Sequence, residues 1–417
     1  MPKEIKILFA APYIYKSKWS EFSKNKTGFG IIVEKIFSLV KQVENVCLIS
    51  HVLTKGHDAI VSHNILSILY HARIKDYYLA FKQLLLPDTQ DVNRFKLAYY
   101  YLDKGFFSNL VKKYEPDVVH IHGIGIGTNC YIDVCRENST PYIVTIHGVL
   151  EKSSTASNSF KNIERRCLRE LNEEKIPITV VSTGIKRRLL DCSYYGLCND
   201  GYIKVITNGT DVKAKEAFKN IREQYNIPLT GKIIVAIGSV YAGKNQIEIV
   251  RAYARMSEAI KENTWIFIIG NIIDGYPIQE EVNRLDLLKK HVILTGFLLF
   301  EDIINYYNEA DLLILASIEE GFGLSLIEGF VYGVPSVTFS DLDAVPDVYD
   351  ERAMMLCHER TDKALAATIE LALEKNWDKE WIKGYSKKFS LESMRDKYLD
   401  VYREVIAKNK KLKSKGS

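Results

Sequence analysis

Cysteine is scarce: seven residues, an odd number, with no C-x-x-C pair among them. Cys130/Cys135 and Cys192/Cys198 are the nearest neighbours, and neither spacing suits zinc. Reduced structural thiols are the reading, and a disulfide scaffold is excluded. Long apolar runs are missing too. None approaches the ~18 residues needed to cross a bilayer, and the opening Met1-Pro-Lys-Glu-Ile-Lys6 lacks the apolar core of a secretory signal. The expectation is a protein made and kept on the cytoplasmic side. An excess of one charge is likewise absent. With 56 basic and 52 acidic residues, the net charge of +4 is too small to argue for nucleic acid. The basic run from Lys408 to Lys415 reads as a solvated, frayed end.

What is present is length and apolar content. A chain of 417 residues, 47% of them hydrophobic, exceeds one ordinary core and suggests two domains. Strand-length apolar runs start at Ile5, Pro116, Pro141, Ile178 and Ile203, then at Lys232, near 265, near 291 and at Asp311. Helical patterns separate them. Alternation in both halves implies an α/β protein with two doubly wound parallel sheets. Asn208-Gly209 is a turn signal between the halves. Residues 62–114, rich in Tyr, Leu and Lys, read as two or three helices with apolar faces. Core packing accounts for most of that surface. The alternative is one helix lying on a membrane, because lysines flank the aromatics there and again in Lys16–Lys26.

The stretch Ser317-Ile-Glu-Glu-Gly-Phe-Gly-Leu-Ser-Leu-Ile-Glu328 concentrates the chemistry. It follows the buried-strand run Asp311–Ala316. Gly321 and Gly323 permit a tight turn, and Leu324, Ile327 and Val331 at i, i+3, i+7 open a helix. Strand, turn and helix N-terminus together form an anion site. Glu320 and Glu328 bracket it, roughly 12 Å apart at 1.5 Å per residue. That separation suits a nucleotide-sugar, with hydroxyl-bearing rings at both ends and phosphates between. Glu328 lies among Leu324, Leu326, Ile327, Phe330 and Val331, where a carboxylate needs a partner. A ribose diol, a backbone amide or an arginine would each serve.

Glu320-Gly-Phe-Gly-Leu-Ser-Leu-Ile-Glu328, followed by Gly333-Val-Pro335, resembles the E-x7-E signature of retaining glycosyltransferases with the GT-B fold (group 1, family 4-like). The strands Pro116-Asp-Val-Val-His-Ile-His122 and Pro141-Tyr-Ile-Val-Thr-Ile-His-Gly148 resemble two further strands of that family. The resemblance implies two Rossmann-like domains facing a cleft, with a C-terminal helix crossing back to the first domain. Residues 1–207 and 390–417 would form the acceptor side, and 208–389 the nucleotide-sugar side. It implies catalytic roles for Glu320, His147 and Lys244. Donor contacts would come from Glu328, Gly321, Phe322, Gly323, Leu324, Ser239 and Phe297. Gly28 and Gly30, split by Phe29, open the first helix, where capping and phosphate contact are both open. Family members carry an arginine near Ser239; here Arg251 or Lys232 would have to compensate.

The implied reaction moves a sugar from a UDP- or GDP-linked nucleotide-diphospho-sugar to an acceptor hydroxyl, without metal or other cofactor. A lipid-linked glycan for a surface polysaccharide is the expected acceptor, and an anionic membrane surface a further partner on the inner face of the cell membrane. A soluble acceptor (sugar phosphate or protein) and a non-catalytic nucleotide-sugar binder are the rivals. Three other features stand outside this resemblance. Asp341-Leu-Asp343 is a D-x-D, a metal-binding pattern in the other major glycosyltransferase fold. Gly123-Ile-Gly-Ile-Gly127 misplaces the third glycine of a dinucleotide fingerprint, and no helix pattern follows it cleanly. Glu151–Ser159 reads as a mobile polar loop. A site role for His122 stays open.

Overall fold

The structure is a computed structural model that describes residues 5–11, 28–43, 46–53, 62–63, 74–85, 94–152, 156–273, 275–285, 291–318 and 320–415. Expectations for Lys16–Lys26 and for the apolar run 65–70 lie outside the described residues. The chain divides into two compact units. One is Met1–Val181, Ile185–Ile206 and Met394–Ser417; the other is Ser182–Gly184 and Thr207–Ser393.

In the first unit the elements are β1 (Ile5–Ala11), α1 (Gly28–Lys41), β2 (Val46–Leu53), β3 (Ser62–His63), α2 (Ile74–Leu84), α3 (Arg94–Tyr114) and β4 (Val118–His122). They continue as α4 (Ile126–Glu137), β5 (Tyr142–Ile146), α5 (Asn158–Glu173), β6 (Ile178–Val180) and β7 (Ile203–Val205). The seven strands pair in parallel in the order β3-β2-β1-β4-β5-β6-β7. Every residue of β4 and β5 is buried, as apolar strands covered on both faces must be. The helix α4 corrects the reading of Gly123–Gly127. A strand, a glycine turn and a helix do follow one another there, although Tyr131, Ile132 and Val134 blur the apolar spacing. Glu151 lies in a 3₁₀ turn, Leu150–Lys152, bonded to Arg165, and Ser157 already caps α5. The expected polar loop is thus shorter; residues 153–155 are outside the described set.

The second unit contains β8 (Lys232–Ile237), α6 (Gln246–Arg255), β9 (Thr264–Ile269), β10 (Val292–Gly296), α7 (Phe300–Glu309), β11 (Leu312–Leu315), α8 (Leu324–Val331), β12 (Ser336–Phe339), β13 (Met354–Cys357) and α9 (Asp362–Glu374). Its six strands pair in parallel in the order β10-β9-β8-β11-β12-β13. Strand order reverses direction between β8 and β11, as it does between β1 and β4 in the first unit. At such a switch point neighbouring crossovers leave on opposite sides and open a crevice at the strands' carboxyl ends.

The final helix, α10 (Leu391–Lys415), belongs from Met394 onward to the first unit. Its apolar stripe of Met394, Tyr398, Val401 and Val405 is buried. Two of its tyrosines cover the ends of β4 and β5. His120 Nδ1 lies 2.6 Å from the Tyr402 hydroxyl, and its Nε2 lies 2.7 Å from Thr145 Oγ1. The Tyr398 ring sits 5.2 Å from His120, and the His122 ring lies 3.9 Å from His120.

Burial holds this histidine group neutral. His120 and His122 are driven well below the ordinary range, and His147 is pushed down to about 3. A histidine with a folded pKa below its unfolded value, near 6.5, takes up a proton on unfolding. Its contribution is complete above about pH 6.5 and is lost as pH falls toward the folded pKa, by about 1.4 kcal/mol per pH unit for each ring. Denaturant titrations of the full chain should show stability falling steeply from about pH 6.5 to 4.5, with a shallower slope in His122→Gln. A flat profile would show that these rings are not held neutral.

Candidate functional site

The two turns at the β8/β11 switch point are joined by a backbone bond, Ile318 N–H donating to the Gly243 carbonyl at 2.8 Å. Glycines let the loops approach each other closely. Gly270, at φ +155°, lies so near the Gly238 carbonyl that a Cβ there would overlap it. Lys244 closes the first turn, just before α6. Glu320 lies in the second, just before α8, and the two side chains form a short ion pair, 21% and 12% exposed. Sequence reading placed both residues in the site, and the structure brings them together.

Glu320 is held from three sides. Besides Lys244, the Gly323 N–H donates to its Oε1 at 3.1 Å, and the Ser317 hydroxyl donates to its Oε2 at 3.3 Å. Gly323 caps α8 at φ +79°, a left-handed conformation that suits glycine. Gly321 and Phe322 complete the turn; Phe322 is buried and Leu324 begins the helix. Burial draws the Lys244 pKa down, but the Glu320 charge and hydrogen bond outweigh it and leave the ammonium favoured.

Glu328, on α8, is partly buried, and the Tyr307 hydroxyl donates to its Oε2 at 3.3 Å. Tyr307 stacks flat on Tyr332, with centroids 5.3 Å apart. Burial, then the Glu328 charge, drive the Tyr307 pKa far up, so its hydroxyl keeps the proton that it donates. At the far side of the sheet Gly296 turns at φ +71°, and Phe297 follows β10 with its ring exposed. The Ser239 carbonyl accepts from Gln246 Nε2 at 3.0 Å.

Of the two cations expected to compensate at Ser239, Lys232 is not placed to do so. Lys232 begins β8, at the opposite end of the strand from Ser239, and pairs with Asp311 at 3.6 Å. Arg251 pairs with Glu281 at 2.7 Å. Arg360 instead reaches the strand ends, as sequence reading did not anticipate. Its Nη2 donates to the Ser317 carbonyl at 3.0 Å, and its guanidinium forks onto Asp341 at 2.7 and 2.9 Å. It braces the residue that bonds Glu320. Asp341 of the D-x-D is thereby committed to an arginine, while Asp343 is buried. Among the described residues no cluster of three His, Cys, Asp or Glu is placed to hold a metal ion.

In the first unit, His147 follows β5, and its Nε2 lies 2.9 Å from His122 Nδ1. One neutral ring must donate and the other accept, so the tautomers of His122 and His147 are coupled. The turn after His147 is pinned by buried Glu164, which accepts from Leu150 N–H at 2.9 Å and from the Tyr195 hydroxyl. Gly28 begins α1 and Gly30 is buried in its first turn.

The fold is an α/β protein whose two sheets each reverse strand order at a switch point, and known proteins supply the class. Residues 217–389 match the family described as Glycosyl transferases group 1, and residues 76–214 match Glycosyltransferase Family 4. A glycosyltransferase from Rickettsia africae superposes with a TM-score of 0.70 at 19% identity, over 97% of this chain and 99% of that one. HepE of Anabaena, solved with UDP and glucose, gives 0.66 at 15% identity, over 96% and 100%. The chain belongs to the glycosyltransferases of the GT-B fold. The serotype-specific mannosyltransferase WbdA of Escherichia coli is 25% identical over 156 residues, 35% of this chain but only 18% of WbdA.

Gly323→Ala tests the turn. A Cβ at 323 would sit 3.0 Å from Leu326 Cδ1 and 3.1 Å from Leu315 Cδ2, in a backbone conformation that disfavours it. A stability loss of about 1–2 kcal/mol is expected in denaturant titrations; no loss would mean the turn relaxes freely.

Proposed function

We propose that the chain is a retaining glycosyltransferase that moves a sugar from a UDP- or GDP-linked donor to an acceptor hydroxyl without a metal ion. The observation that carries this is the Lys244–Glu320 pair at the switch point of the unit matched to Glycosyl transferases group 1. A donor diphosphate offers the Lys244 ammonium a more highly charged partner than one carboxylate, and the amide end of α8 adds to it. Glu320, released, accepts hydrogen bonds from the sugar hydroxyls. Glu328, oriented by Tyr307, takes the ribose diol, and His147 orients the sugar. UDP in HepE supports a uridine donor.

In the reaction the bond from the anomeric carbon to the diphosphate oxygen breaks, and the acceptor oxygen bonds to the same face of that carbon. The acceptor proton passes to the departing phosphate oxygen. Charge develops on the leaving group, so Lys244 acts most strongly in the transition state. Glu320 is a positioning carboxylate in this scheme, unlike the nucleophile of a retaining hydrolase. The acceptor proposed is a lipid-linked glycan; the relative WbdA is described as a serotype-specific mannosyltransferase. Among the described residues no helix is long and apolar enough to cross a membrane, so such an acceptor would be met at the membrane surface.

Two substitutions separate the roles. Glu320→Gln should lower transfer by about 100-fold or more while nucleoside diphosphate affinity, read by calorimetry, changes little; unimpaired transfer would refute the assignment. Tyr307→Phe should weaken UDP or GDP several-fold, on the order of one hydrogen bond, and leave inorganic pyrophosphate unaffected. Equal loss for both ligands would mean that Tyr307 supports the fold and not the ribose contact.

A further inference from the structure

The helix α2 turns its apolar stripe outward. Ile74 is 90% exposed, Tyr77 41%, Tyr78 67%, Phe81 62% and, just past the helix end, Leu85 70%. These positions, at i, i+3, i+4, i+7 and i+11, fall within an arc of about 100° on a 3.6-residue helix. An arc of that kind normally faces a core. Here the inner face carries Asp76 and Ala80, both buried, and Asp76 is packed where Gly105 of α3 leaves room for no side chain of its own. That contact fixes which side of the helix looks out.

Among the described residues of α2, charge on the outer side has one sign. Lys75 and Lys82 are exposed and flank Tyr78, while Asp76, the acidic residue of the helix, points inward. At the start of α3, Arg94 and Phe95 are exposed as well. Apolar and aromatic side chains flanked by lysine suit the boundary between acyl chains and anionic headgroups. A second copy of the chain fits less well. Eleven residues span about 16 Å, and a strip about 10 Å wide falls far below the ~800 Å² per partner of a stable dimer. Pairing the strip with itself would also bring the lysines of both copies together.

We infer that the outer face of α2, formed by Ile74, Tyr77, Tyr78, Phe81 and Leu85 with Lys75 and Lys82, docks on an anionic lipid bilayer. It deepens the proposal of a lipid-linked acceptor and rests on that reading for its purpose, though not for its test. The rings enter the interface, and the lysines meet headgroup phosphates, each contributing on the order of fivefold in partitioning at low salt.

The full chain is sedimented with phosphatidylcholine vesicles and with vesicles containing about one third phosphatidylglycerol. Wild type should bind the anionic vesicles and release with added salt. Tyr78→Ser/Phe81→Ser and Lys75→Gln/Lys82→Gln should each reduce binding by about tenfold or more, with unchanged thermal midpoints, since all four residues are exposed. Absent binding by wild type, or binding indifferent to both pairs of substitutions, would overturn the proposal. So would a dimer in light scattering that Tyr78→Ser/Phe81→Ser abolishes, because a second copy would then cover the stripe. Nucleoside diphosphate calorimetry on the same samples reads the donor site. Intact calorimetry with failed sedimentation refutes the docking surface alone, whereas failed calorimetry refutes the glycosyltransferase reading.

Discussion

The ion pair between Lys244 and Glu320 joins the two turns at the carboxyl ends of β8 and β11, and the surrounding residues serve its geometry. Both groups are largely shielded from water, and shielding two charges is costly unless each is fully partnered. Gly323 N–H and the Ser317 hydroxyl complete the carboxylate, and Arg360 holds the Ser317 carbonyl from behind. A pair of this kind contributes little net stability. It does orient a cation and a carboxylate at the junction of the two turns, the arrangement on which the proposed sugar transfer rests.

The sheet topology explains why the pair lies there. Parallel strands buried on both faces send their functional groups to the loops at one edge, and the reversal of strand order opens that edge between β8 and β11. The first unit repeats the arrangement at β1 and β4. There the strand ends carry histidines in place of an ion pair, kept neutral by burial and then by the charge each would impose on its neighbours.

Much of this was legible in the sequence because it depends on local pattern. Apolar runs of strand length located β1, β4, β5, β8 and β11, and the glycines of Gly321-Phe-Gly323 marked the turn. The ion pair itself was not legible, since Lys244 and Glu320 are 76 residues apart and only the sheet order brings them together. Arg360, 43 residues beyond Ser317, and Tyr307, on the helix preceding β11, left no signal for the same reason. The misreading after Gly127 has another cause. In α4 the buried Cys130, Tyr131, Ile132, Val134 and Cys135 cover more than one face, so no single amphipathic stripe announces the helix. The choice of Lys232 as a compensating cation failed because composition does not tell which end of a strand a side chain occupies.

The most direct test of the central claim is a crystal structure of the chain soaked with a UDP- or GDP-sugar. Lys244 should leave Glu320 for a diphosphate oxygen, Glu320 should accept from a sugar hydroxyl, and Glu328 should contact the ribose. A donor bound elsewhere, with the Lys244–Glu320 pair still closed, would contradict the account.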